Sequence, residues 1–173
     1  MQWIGYVDTA ANALATTEPY VMYSLNDARM SGAHYAMIDL AESDCPGCQQ
    51  DATLMESGDA KATPAVLPVT SVVQAGGVVI EVLETTGFVT QATQASLQQW
   101  IGKYQLMVTT VKDPDGTGTA TLTALGGREH CYIVDLTTMK IVQFLTGDDL
   151  GGGTDTQYSG VQCVAAMHTL LGK

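Results

Sequence analysis

The sequence predicts an α/β fold with a central mixed β-sheet and helices on both faces. Three observations lead there. Apolar runs at 34–41 and 77–83 have the composition of strands covered on both sides. Segments of helical pattern at 46–57 and 93–103 alternate with them, which gives parallel strands joined by right-handed crossovers. The chain then closes with two strands, 131–135 and 140–145, joined by a short turn and followed by a helix over 157–171, so antiparallel strands complete the sheet.

In order, residues 1–33 form an N-terminal extension. Trp3, Ile4, Tyr6 and Val7 make a short edge strand, and 19–24 pairs with the sheet. Ser24 caps a short helical turn over 25–30 that Ser31-Gly32 ends. The core spans 34–171. Its first strand, 34–41, is apolar almost throughout, with Asp39 as an interruption. The helix at 46–57 directs Leu54 and Met55 inward, and Pro64 and Pro68 keep 58–68 irregular. An inserted helix and strand occupy about 93–111. Leu97, Trp100, Ile101 and Tyr104 share one face there, Thr93 or Thr90 lies near the cap, and 106–111 is the strand. Asp113-Pro-Asp-Gly116 is a turn. A weak helix at 119–125 ends at Gly126-Gly127, and the closing helix carries Val161, Val164, Ala165, His168 and Leu171 on one face. With no internal repeat or linker, 1–173 reads as a single domain.

The chain has 173 residues, 46% of them hydrophobic, enough for one domain with a real core. Seven Lys plus Arg against eighteen Asp plus Glu give a net charge of -11, which repels nucleic acid and anionic lipid. No apolar run reaches membrane-spanning length. The opening Met1–Asp8 lacks the basic and apolar regions of a signal peptide, so the chain is either cytosolic or a mature segment given an initiating Met. Abundant Thr, Gln and Gly with scarce Lys lean toward an extracytoplasmic, periplasmic setting, with the cytoplasm kept open. Four cysteines are too few for a disulfide framework, which leaves the thiols free for other work.

Chemistry concentrates at Asp39-Leu-Ala-Glu-Ser-Asp-Cys45-Pro-Gly-Cys48. Here a strand runs into a helix through a Cys-x-x-Cys corner. One helical turn separates the two sulfurs, so they can close a small disulfide ring. Cys45 stands at a helix N-terminus, where unpaired N–H groups and the dipole favour a thiolate. Cys45 would attack and Cys48 would resolve the mixed disulfide. Pro46 suits the first turn, where its missing N–H costs nothing. Asp44 and the overall negative charge oppose the thiolate, which favours a reducing or isomerising poise; a Cys45 pKa below about 5 would overturn that expectation. The competing readings of the motif are half a zinc site and an inert pair.

These residues, the inserted helix and strand, and Cys131-Tyr-Ile-Val-Asp135 before the last hairpin together resemble the thioredoxin superfamily. The likeness is nearest to its bacterial TlpA- and redoxin-type members and covers roughly 20–171. The resemblance implies a thioredoxin-like fold and a thiol–disulfide oxidoreductase acting on protein dithiols or disulfides without a cofactor. Cys45 would be the exposed nucleophile, Cys48 the buried resolving thiol and Asp39 the buried acid that handles the second cysteine's proton.

Three departures stand out. Asp44 replaces the usual tryptophan, and the dipeptide between the cysteines is Pro46-Gly47 rather than Gly-Pro. Glu129, between Arg128 and His130, occupies the place of the proline that in the family forms a cis peptide beside the disulfide. A non-proline cis bond costs about 3 kcal/mol, so a trans peptide is expected. That proline shapes the substrate groove and keeps metal off the cysteines. Asp44, Pro46, Glu129 and His130 therefore become the candidate groove residues. The second reading is a metal-binding or copper-delivery module using Cys45, Cys48, His130 and Cys131. The third is a redox-silent domain that binds a partner. Cys163, His168 and His34 read as structural, Trp3 and Trp100 as packing anchors, and Asp148, Asp149 and Asp155 as a solvated acidic loop. The oligomeric state is not legible in the sequence.

Overall fold

The computed structural model describes residues 1–8, 13–86, 90–117, 119–147 and 157–173. The elements are β1 (Gln2–Tyr6), β2 (Tyr20–Ser24), α1 (Leu25–Met30), β3 (Tyr35–Glu42), α2 (Pro46–Ser57), α3 (Thr70–Gln74), β4 (Val78–Thr86), β5 (Thr90–Gln91), α4 (Gln94–Tyr104), β6 (Thr109–Lys112), α5 (Ala120–Leu125), β7 (His130–Asp135), β8 (Lys140–Thr146) and α6 (Ser159–Leu170). They build one mixed sheet in the order β2-β1-β6-β4-β3-β7-β8, with β5 paired to β4. Strands β3, β4 and β6 run parallel, while β1, β2, β7 and β8 pair antiparallel. The predicted fold class is the observed one.

The central strands owe their places to burial on both faces. Alternate side chains of β3 divide between two layers, because successive strand residues point to opposite sides. Met37 packs with Val79, Ile133 and the apolar side chains of α2, α3 and α6. Ala36, Ile38 and Leu40 pack with Ile80, Val82, Trp3 and Ala28 of α1. A third apolar group joins Ala41 and Leu83 to Leu97, Trp100 and Ile101 of α4. By the same parity, Asp39 of β3 and its register partner Glu81 of β4 face the α2–α6 side.

Local signals account for most element ends. Thr93 caps α4 through a reciprocal bond with Ser96, and Gln105 closes that helix in the left-handed conformation. The strand expected over 106–111 starts later, at Thr109, after buried Leu106 and Val108. Val72 and Val73 belong to α3. The weak helix at 119–125 is α5, from Ala120. Trp3 is fully buried and its Nε1–H donates to Thr121 Oγ1 at 2.8 Å. The acidic stretch holding Asp148, Asp149 and Asp155 lies outside the described residues.

One expectation about the cysteines is overturned. Cys131 of β7 and Cys163 of α6 form a disulfide, so they are not free thiols. Each sits in an apolar environment that reads as ordinary core, and a sequence separation of 32 hides the pairing. Only the parity of β7, which turns Cys131 toward α6, brings the sulfurs together. Among the described residues, no helix is long and apolar enough to cross a membrane.

Candidate active site

The corner is built where β3 hands over to α2. A register shift between Ala41 and Glu42 bends β3 near its end, after which Glu42 pairs with Thr85 of β4. The Ser43 N–H donates to Thr85 O at 3.2 Å, and the Cys45 N–H donates to Glu42 O at 3.2 Å, turning the chain into the helix. Cys45 is the N-cap of α2, and its Sγ accepts the Cys48 N–H at 3.1 Å. Pro46 fills the first turn, as its fixed φ favours. Asp44 and Pro46 are exposed on the rim.

Cys45 and Cys48 are in the dithiol form. The hydrogen bond from the Cys48 thiol, then the Cys48 N–H, the Arg128 guanidinium and the Gly47 N–H, lower the Cys45 pKa against the opposing effect of burial. Burial, followed by the hydrogen bond and charge of Cys45, pushes the Cys48 thiol far up. The two sulfurs are thus unequal, with the thiolate favoured at Cys45. Asp44 faces solvent, and its Oδ1 accepts from Ser43 Oγ at 3.3 Å.

Cys45 does not stand open as anticipated. It is 0% exposed and Cys48 is 3% exposed. Ala41, Leu83, Ala92, Leu97 and Trp100 pack around the pair, so the apolar layer under α4 closes the corner.

Behind the sulfurs lies a group of buried carboxyls that the sequence showed only in part. Asp39 is buried, and its Oδ1 accepts from Ser159 Oγ at 3.4 Å. Burial raises its pKa well above the usual range, and the charges of Asp51, Glu81 and Glu129 push the same way. Asp51 lies one turn after Cys48 and caps the start of α6. Its oxygens accept the Gly160 N–H at 2.7 Å and the Val161 N–H at 3.0 Å, a favoured place for a carboxylate. Burial still lifts Asp51 to about 6. Glu81 accepts the Trp100 Nε1–H at 3.1 Å and is raised by burial to about 8.

Glu129 takes the place expected from the register and has φ 54°, with no cis peptide before it. Its carboxyl is turned inward, 2% exposed, rather than lining a groove. One oxygen of Glu129 lies with the sulfurs of Cys45 and Cys48 in a trio whose members are all within 4.8 Å of one another. Among the described residues this is the single grouping of three metal-capable side chains. Two of its three members hold their protons strongly, Cys48 as above and Glu129 raised by burial to about 9, whereas metal binding requires deprotonated ligands.

The four-residue metal alternative is not assembled. Cys131 is in a disulfide, and His130 points to the opposite face of β7, where its ring meets Phe144 edge-on at 5.1 Å. His130 is likewise absent from the sulfur corner as a groove residue. Sequence reasoning missed Asp51, Glu81 and Ser159. A signal existed for two of them: a carboxylate one turn after Cys48, and a lone acid inside an apolar strand.

No protein-family model matches the chain, and no curated protein matches it. Solved structures do. A thiol:disulfide interchange protein from Bacteroides sp. aligns with a TM-score of 0.59 at 12% identity, over 100% of this chain and 88% of that one. The thioredoxin domain of a thiol-disulfide oxidoreductase from Bacteroides vulgatus aligns at 0.53 and 19% identity, over 87% and 89%. A secreted disulfide oxidoreductase from Mycobacterium tuberculosis aligns at 0.53 and 15% identity, over 85% and 90%. The chain therefore has a thioredoxin-like fold.

Proposed function

We propose that this chain is a thiol–disulfide oxidoreductase of reductase or isomerase type, exchanging disulfides with protein partners through Cys45-Pro-Gly-Cys48. The observation that carries this reading is the Cys45 sulfur, capping α2, favoured as thiolate, with the Cys48 sulfur beside it. The Cys45 thiolate attacks one sulfur of a partner disulfide. The partner's S–S bond breaks, its other sulfur leaves as thiolate, and a mixed disulfide forms. Cys48 then loses its proton and attacks Cys45 Sγ, releasing the second partner thiolate. The partner gains two electrons, and Cys45 and Cys48 become a disulfide. Asp39 belongs to the buried acid group that handles protons behind Cys48.

A surface so short of Lys and Arg suits protein thiols and disulfides rather than nucleic acid. The Cys131–Cys163 bridge supports a periplasmic or other extracytoplasmic setting, since such bridges persist in oxidising compartments. The described strands share one sheet, which supports reading 1–173 as one domain with 1–33 as an extension. Burial of Cys45 favours a second reading, a redox-silent domain that binds a partner.

One experiment separates the two. The reduced protein is mixed with oxidised glutathione or a disulfide-bonded protein, and thiols are counted over time. Loss of two thiols in wild type, none from this pair in Cys45→Ser, and an accumulating mixed disulfide in Cys48→Ser support exchange. A wild-type pair that never reacts in the folded state leaves the redox-silent reading.

A further inference from the structure

We propose that Glu129 is the catalytic acid of this site: it delivers the proton to Cys48 Sγ when the Cys45–Cys48 disulfide is opened. This deepens the exchange reading and rests on it. When a partner thiolate attacks Cys45 Sγ, the Cys45–Cys48 bond breaks and its electron pair goes to Cys48 Sγ. A bare thiolate there would be released into an apolar, closed corner, which strongly disfavours charge. The Glu129 proton moves to that sulfur, the Glu129 carboxylate is reprotonated from water, and the partner thiol ends in a mixed disulfide with Cys45. A second partner thiolate then releases Cys45, so the partner dithiol is oxidised and the protein reduced.

Placement is the first ground. The Glu129 carboxyl shares one space with both sulfurs, whereas Asp39 is outside that trio and is bonded to Ser159. The backbone is the second. Glu129 has φ 54°, a left-handed conformation that a non-glycine residue adopts only where the surrounding structure holds it. Main-chain bonds hold it there, from the Glu129 N–H to Leu40 O at 3.2 Å and from the Gly147 N–H to Glu129 O at 2.9 Å. The carboxyl is wedged so tightly that a Cβ on Gly147 would collide with Glu129 Oε2 and the Ser159 N. Oxygen Oε2 accepts the Ser159 N–H at 3.4 Å, while Oε1 is buried without a hydrogen-bond partner.

Surroundings are the third ground. The titratable groups about Glu129 are Cys45, Cys48 and Asp51 of α2 and Asp39 of β3, with Arg128 and His130 beside it in sequence. Arg128 is engaged with Glu42 at 2.9 Å, and His130 faces away. Burial and then the Asp51 charge raise Glu129 to about 9, and the Ser159 N–H and the Cys48 thiol offset only part of this. At neutral pH the carboxyl therefore holds a proton to give.

The test uses the full chain, oxidised at Cys45–Cys48, opened by dithiothreitol across pH 6–10 and quenched by alkylation. Rates are divided by the dithiothreitol thiolate concentration. Wild type should hold a plateau at neutral pH that falls in the alkaline range, as the buried Glu129 carboxyl gives up its proton. Glu129→Gln should open about 100-fold more slowly at pH 7, within the range for a lost general acid, and lose the fall. Glu129→Asp should recover part of the rate and keep a fall. Thermal melts of each variant report folding separately. Opening of Glu129→Gln at the wild-type rate, or a slowed variant that retains the wild-type pH profile, overturns the proposal. So does transfer of the profile change to Asp39→Asn, run in parallel. If wild type forms no Cys45–Cys48 disulfide under oxidised glutathione, the exchange reading itself falls and this proposal with it; failure confined to Glu129→Gln leaves that reading intact.

Discussion

Replacing Glu81 by Gln should change how stability responds to pH. Glu81 is 1% exposed, its Oε1 accepts the Trp100 Nε1–H, and its Oε2 is buried without a partner. Burial, followed by the charge of Asp51, lifts its pKa from 4.5 to about 8. The folded state then holds this proton up to about pH 8, while the unfolded chain releases it near 4.5. A raised carboxyl costs no stability below the unfolded value and progressively more as pH rises to the folded one. At 1.36 kcal/mol per tenfold in proton affinity, the ceiling on that loss is about 5 kcal/mol. Relaxation around the ionised group brings the expected loss to about 2–3 kcal/mol. In Glu81→Gln the introduced amide oxygen keeps the Trp100 bond, and the side chain carries no titrating proton. Wild type should therefore weaken from pH 5 to pH 8, and the stability of Glu81→Gln relative to wild type should rise by about 2 kcal/mol across that window. Urea denaturation at both pH values, with equal slopes for the two proteins, measures it. A relative stability constant to within about 0.5 kcal/mol would refute a buried, proton-holding Glu81.

Other outcomes follow from the same structure. Cys131→Ala with Cys163→Ala should lose about 3.5 kcal/mol of stability through the opened 32-residue loop, read by denaturation without reductant. Arg128→Ala removes a positive charge that favours the Cys45 thiolate, so iodoacetamide should alkylate Cys45 roughly threefold more slowly at neutral pH. The pH profile of that alkylation should move upward. Gly160→Ala would press a Cβ onto Met55 Sδ and to 2.9 Å from Asp51 Oδ2, costing about 1–3 kcal/mol in a thermal or urea melt.

Much of this architecture was legible because local and global signals agree. The apolar run 34–41 demanded a central strand, the Cys45-Pro-Gly-Cys48 corner demanded a helix start, and Thr93 announced α4. The placing of side chains around the corner was less legible. Whether Cys45 is open depends on how α4 settles over it, a tertiary fact with no periodic signature. His130 and Cys131 are neighbours in sequence, yet strand alternation sends them to opposite faces, so only one of them meets α6. Asp39 could be located from the chain. Its companions Asp51, Glu81 and Glu129 come from three other segments, and their convergence is set by strand register and by the first turn of α6.

The Cys131–Cys163 bridge fastens α6 to β7, and the opening turn of α6 supplies the donors that seat both Asp51 and Glu129. Harsh reducing buffers, customarily added to preserve a dithiol, would cut that tether and slacken the seating of Asp51 and Glu129 while leaving Cys45 and Cys48 nominally intact. Two batches with the same sequence and differing only in how they were handled at the bench would then present two different surroundings to the same sulfur pair.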